Sequence, residues 1–293
     1  KTGLWLGKNF KLTGLDRLAQ IVGSTLASRR KSAMVRNIMA NQWVVSGESM
    51  SKSQLEECAR ETIQNVVSSL AEYFYYYQHP EEAKEKIVLS STAEETLRDI
   101  IDRKVPTILL GPHLGNFDLF GMSLTWLGVR PYVLSYPNPN NAYKAQNRMR
   151  EAVGMSIRPI SFSSFRESKK ALKEGYCVVT GLDRPIPEGE DAKYRPRFFG
   201  REAALPVFYG RLALETGAKV RVACGIRRED GNYFVDATDP IPMEKRDDLV
   251  EENVLNAESV LRRTEDFIRG AQSQWCMLYP VWPEVLPVIE KIT

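Results

Sequence analysis

From residue 91 onward, short apolar runs alternate with longer segments of helical periodicity, and that alternation constrains the fold more than any other feature of the chain. The runs are Val105 to Leu110, Tyr132 to Leu134, Ile157 to Ile160, Tyr176 to Leu182 and Val220 to Ile226. Apolar on successive residues, they read as strands covered on both faces. Strands joined through helices lie parallel, because a crossover is needed to bring the chain back in the same direction. Ser91-Thr92-Ala93-Glu94 and Ser164-Phe165-Arg166-Glu167 read as capping signatures that open two of the helices, the second ending at Gly175. A polar helix is expected from Asn140 to Val153, stopped by Gly154, with further helices over 205–216 and 247–270. Asp230-Gly231-Asn232 turns the chain into Tyr233 to Ala237 as a hairpin. The expectation is a single α/β domain over 51–293, with a central, largely parallel sheet flanked by helices.

Residues 1–50 are expected to form a basic, amphipathic helical region. Residues 1–36 carry eight basic residues against the single acid Asp16, a net charge of +7 in a chain whose total is +3. Leu4, Trp5, Leu6, Phe10, Leu12, Leu15, Leu18, Ile21, Val22 and Leu26 lie between those charges. Trp and Phe beside Lys, with leucines at helical spacing, suit a helix lying on an anionic membrane; packing on the domain with the polar face solvated is the alternative. Ser53-Gln54-Leu55-Glu56 reads as a capping box for the next helix, which ends in the aromatic cluster Tyr73 to Tyr77. That cluster suits core packing, the wall of an acyl-chain site or an interfacial belt.

Composition excludes several classes. Four scattered cysteines (Cys58, Cys177, Cys224, Cys276) without C-x-x-C read as thiols in a reducing compartment, and two histidines are too few for most His-based metal sites. There is no G-x-G-x-x-G, Walker A or G-x-S-x-G pattern, which removes dinucleotide, P-loop and α/β-hydrolase readings. No apolar run reaches the roughly 18 residues of a membrane span. The chain opens at Lys1 without Met, so an anchor upstream is one expectation.

The chemistry concentrates in Gly111-Pro112-His113-Leu114-Gly115-Asn116-Phe117-Asp118. The Val105 strand ends there, and Asn116 caps a helix that stops at Gly128. With His113 on the turn and Asp118 in the first helical turn, the two can meet. The carboxylate would fix the imidazole tautomer and leave the other nitrogen as a base. A backbone carbonyl partner for His113 and a macrodipole role for Asp118 are the plainer readings. Backbone N–H groups around Gly115 and Asn116 could stabilise an oxyanion. Lys193, Arg195, Arg197 and Arg201 form a basic stretch without an acid, suited to phosphate groups of an acceptor, an acidic acyl carrier protein or coenzyme A, with a merely solvated loop as the alternative. It begins in a long loop expected over 183–197.

His-x-x-x-x-Asp after a strand resembles the motif shared by glycerolipid acyltransferases and the late acyltransferases of lipid A biosynthesis. Phe198-Phe199-Gly200, the helix ending in Thr216-Gly217-Ala218, and Arg36-Asn37-Ile38 resemble further elements of the latter. Gly181-Leu182-Asp183-Arg184 is similar to the Asp-Arg-Asp strand end of phosphatidylinositol mannoside acyltransferases. In order and spacing the resemblance runs from about residue 30 to about 283. One departure is that Gln274-Trp275 is followed by Cys276 to Trp282 with no basic residue, where lipid A enzymes carry a basic cluster.

The resemblance implies a glycerolipid-acyltransferase-like fold and a membrane-associated O-acyltransferase at the cytoplasmic face of a bacterial inner membrane. It would move a fatty acyl group from acyl-CoA or acyl carrier protein to a hydroxyl of a glycolipid or phospholipid, with no cofactor and no nucleic-acid partner. His113 would be the base and Asp118 its orienting carboxylate. Asn116, Arg148, Arg150, Asp183, Arg184, Arg195 and Arg197 would contact substrate, and Arg148 and Arg150 lie in a stretch resembling the family's Arg-bearing helix. A lipid-binding protein without turnover and a thioester hydrolase are the alternative functions.

Overall fold

The computed structural model describes residues 2–186 and 193–293. The centre of the loop expected at 183–197, and Lys1, lie outside the described residues. Helices α1 (Thr2–Asn9), α2 (Leu12–Ala27), α3 (Ala33–Val45), α4 (Lys52–Gln78) and α5 (Pro80–Glu85) come first. Then follow β1 (Ile87–Leu89), α6 (Ser91–Ile101), β2 (Thr107–Gly111), α7 (Phe117–Trp126), β3 (Pro131–Ser135), α8 (Asn141–Ala152) and β4 (Ser156–Pro159). Next come α9 (Phe162–Lys173), β5 (Cys177–Gly181), the two-residue strands β6 (Arg197–Phe198) and β7 (Arg201–Glu202), and α10 (Phe208–Thr216). The chain closes with β8 (Lys219–Arg227), β9 (Tyr233–Ala237), α11 (Leu249–Gly270) and α12 (Leu286–Ile292).

Seven strands form one sheet in the order β1-β9-β8-β2-β5-β3-β4. The five from β8 to β4 are parallel; β9 turns antiparallel to β8 through the expected hairpin, and β1 runs parallel to β9. The strands are apolar on both faces because helices cover both. Ile108 and Leu110 of β2 enter the layer of α3, α4, α10 and α11, while Leu109 between them packs with Ala93 and Ile100 of α6 and Leu124 of α7. Arg221 sits in buried β8 because α6 supplies a counter-charge, Asp99, 2.7 Å from its guanidinium. β1 escaped the sequence reading: its three residues find their partner only in β9, far along the chain.

Three helix starts differ from expectation. The capping box of α4 is Ser51 with Gln54, that of α9 is Ser161 with Ser164, and α6 is capped by Ser90. In each case an earlier serine occupies the extended backbone conformation that an N-cap requires.

The N-terminal helices lie along α4. Leu15, Ala19 and Gly23 of α2 form its buried stripe. A Cβ on Gly23 would stand 2.8 Å from Gln64 Cα, so glycine permits the close approach. Helix α3 is more deeply set, with Val35, Ile38, Met39 and Val44 in the main core. Large apolar side chains stand outward from α1, α2 and the turn between them, among basic ones: Trp5, Phe10, Leu18, Ile21 and Val22 are exposed, Ile21 to 66%, as are Lys8, Lys11 and Arg17. Among the described residues no helix is long and apolar enough to cross a membrane.

Candidate active site

Strand β2 delivers His113 to the carboxyl edge of the sheet, where open α/β sheets present their ligand sites. Its neighbour β5 ends level with it, because Gly111 pairs with Gly181. Two residues beyond each lie His113 and Asp183. Asp183 Oδ1 is 2.7 Å from His113 Nδ1, and Oδ2 accepts the His113 backbone N–H at 2.9 Å and the Trp275 indole N–H at 2.8 Å. Burial alone would push the Asp183 carboxyl up, but the imidazole beside it and these three donors hold it below the ordinary carboxylate range. The Asp183 side chain is fully buried, whereas that of His113 is 24% exposed. Among the described residues nothing bonds Nε2, and Phe117 meets the ring edge-on.

The expected meeting of His113 with Asp118 is replaced by this contact. Asp118 faces α8 instead: Arg150 reaches its Oδ1 through Nε at 3.0 Å and through a second nitrogen, and Gln146 donates to Oδ2. The reason is helical geometry. The first turn of α7 carries Asp118 toward α8, while the His113 turn is drawn across to β5. This also separates the two candidate arginines, since Arg150 is buried on Asp118 and Arg148 is exposed.

The turn is held from every side. Gly115 adopts φ +60°, and a Cβ there would lie 2.1 Å from the Gly225 carbonyl oxygen. Its N–H donates to Gln274 O at 2.9 Å, and Cys276 N–H donates to His113 O at 2.7 Å. The Gly115 N–H is therefore already spent, which corrects its expected role as an oxyanion donor. Asn116 caps Leu119, and its amide donates to Ser69 O and Glu72 Oε2, so its buried side chain faces protein. Buried Glu72 in turn meets Arg227 Nε at 2.9 Å and the Tyr233 hydroxyl, and Arg227 reaches back to Asp16 on α2 at 3.3 Å. Desolvation raises the Glu72 pKa, with Arg227 opposing it.

Sequence reasoning missed Trp275, Gln274 and Glu72. The Gln-aromatic pair was the available signal for the first two: Trp275 fixes Asp183, and Gln274 clamps both backbone groups of Arg227. Phe198 and Phe199 pack behind Trp275, their ring centroids 6.1 and 6.3 Å from it. Farther out, Arg184 lies over the rings of Tyr136 and Tyr279. Arg195 is exposed; Arg197 donates to Gly200 O, and Arg201 to Glu48. Burial, joined by the charges of Asp183 and Asp118, pushes the Cys276 thiol up to about 12, which removes it as a nucleophile at neutral pH. Among the described residues no group of His, Cys, Asp and Glu gathers as a metal site would require.

In this largely parallel α/β fold, two adjacent strands thus end in an imidazole and the buried carboxylate that holds it. This chain belongs to the bacterial lipid A biosynthesis acyltransferase family, whose family model matches residues 5–284. Membership makes it an acyltransferase acting on lipid-like acceptors. No curated protein matches the chain.

Proposed function

We propose that the protein transfers a fatty acyl group from acyl-CoA or acyl carrier protein to a hydroxyl of a glycolipid or phospholipid, working at an anionic membrane surface. The observation that carries this is the partly exposed His113 ring, with Nδ1 on the Asp183 carboxylate and Nε2 without a hydrogen-bond partner among the described residues. Asp183 selects the tautomer with the proton on Nδ1 and stabilises the imidazolium. Nε2 takes the acceptor proton as its oxygen forms a bond to the thioester carbon. Collapse of the tetrahedral adduct breaks the C–S bond, and the imidazolium returns the proton to the leaving thiolate. A positioned base of this kind contributes about 10²–10⁴-fold.

Asp118 supports the site by fixing α8 on α7 through Arg150 and Gln146. The exposed Trp5, Phe10, Leu18, Ile21 and Val22, set among Lys8, Lys11 and Arg17, suit shallow insertion into anionic lipid.

The test is incubation with labelled acyl-CoA and acylated carrier protein against total bacterial membrane lipid, with products identified by mass spectrometry. Acylated lipid that is absent when His113 is replaced by Ala supports the reading. Release of free fatty acid alone overturns it in favour of hydrolysis.

A further inference from the structure

We infer that Arg184 is the core of a phosphate-ester subsite beside His113. This rests on the acyl-transfer reading and adds a ligand chemistry to it. The Arg184 guanidinium carbon lies 4.0 Å from the ring centroid of Tyr136 and 4.3 Å from that of Tyr279. Stacking against two aromatic rings holds the plane of the cation and leaves its N–H edge to meet an anion. Arg150 is committed to Asp118, Arg197 to Gly200 O, and Arg201 to Glu48 and Glu284, while Arg148 and Arg195 are exposed and, among the described residues, no ring stacks on either. Among the described residues Arg184 makes no ion pair and no hydrogen bond. Tyr279 is 49% exposed, so the stack opens to solvent.

Position gives the stack its meaning. Arg184 follows Asp183, the carboxylate on His113, and Tyr136 follows the end of β3, the next strand beyond β5. The rim therefore runs from the base at β2 to a pinned guanidinium between β5 and β3. A planar fork of donors matches phosphate oxygens in pairs, which an ammonium does not do. Two substrates of the proposed reaction can carry such a group: the donor, on its phosphopantetheine arm, and a phosphorylated lipid acceptor.

Calorimetric binding to the full chain tests this with matched probes. The donor pair is 4′-phosphopantetheine against pantetheine. The acceptor pair is phosphatidylinositol against a neutral glucosyl diacylglycerol, both in the same detergent micelle. One phosphate-bearing probe should bind about tenfold tighter than its neutral partner, the scale of a hydrogen-bonded charge, and which pair shows the preference identifies the source. Arg184→Gln should erase the preference, Arg184→Lys should restore part of it, and Tyr136→Leu should weaken it while keeping the charge. A preference that survives in folded Arg184→Gln, or no preference in either pair, overturns the subsite. Binding needs no turnover, so a phosphate preference without acyl transfer would sink the proposed reaction and leave the subsite standing. Transfer without any preference would do the reverse.

Discussion

His113 Nδ1 lies 2.7 Å from Asp183 Oδ1, and the two residues stand at the same level past the ends of paired strands. Asp118, five residues from His113, is bound instead to Arg150 and Gln146. The two carboxylates should therefore fail differently when changed. Asp183→Asn should lower kcat by about 10²-fold or more, since the imidazole loses its orienting anion. Asp118→Asn should act first on stability, by about 3 kcal/mol, because it breaks a buried pair and strands Arg150. Chemical denaturation beside steady-state kinetics reads both; a stable, inactive Asp118→Asn with an active Asp183→Asn would reverse the assignment.

The depressed pKa of Asp183 gives an acid-side signature. A carboxyl whose folded pKa lies below its unfolded value of about 3.9 stabilises the protein at every higher pH. That contribution disappears as pH falls through the folded value. Stability should thus decline as pH drops below about 4, and the decline should be shallower in Asp183→Asn. Identical acid limbs in denaturant titrations of the two proteins would contradict this.

Glu72 and Arg227 join the His113 turn to the N-terminal helices, through Asn116 on one side and Asp16 on the other. Arg227→Met leaves Glu72 buried without its cation and should cost about 3 kcal/mol. The double variant Arg227→Met with Glu72→Leu should recover at least half of that loss, because no buried charge remains unpaired. Additive losses in the double-mutant cycle would show that the pair is not coupled.

On α2 the two faces should respond in opposite ways. Leu15 is buried and Ile21 is exposed. Ile21→Glu should leave the melting temperature within a few degrees and weaken sedimentation with anionic vesicles severalfold. Leu15→Glu should destabilise the fold itself. Vesicle binding unaffected by Ile21→Glu would remove this face from the membrane encounter.

Elements whose signals are local were legible in the sequence. Asn116 caps α7 and Asn140 caps α8, Gly128 and Gly154 follow their ends at φ +93° and +100°, and the Asp230-Gly231-Asn232 turn joins β8 to β9. Backbone conformation and capping there depend on residues within a turn of one another. The His113 turn was visible for the same reason. Which carboxylate meets the imidazole was not, since a helical offset and a strand register both bring an acid near and only the β2–β5 pairing chooses. Trp275, Gln274 and Glu72 were hidden more fully. Their partners lie 92, 47 and 44 residues away at Asp183, Arg227 and Asn116. Contacts of that span are made by tertiary packing, so they belong to the packed structure and leave no periodic trace in the chain.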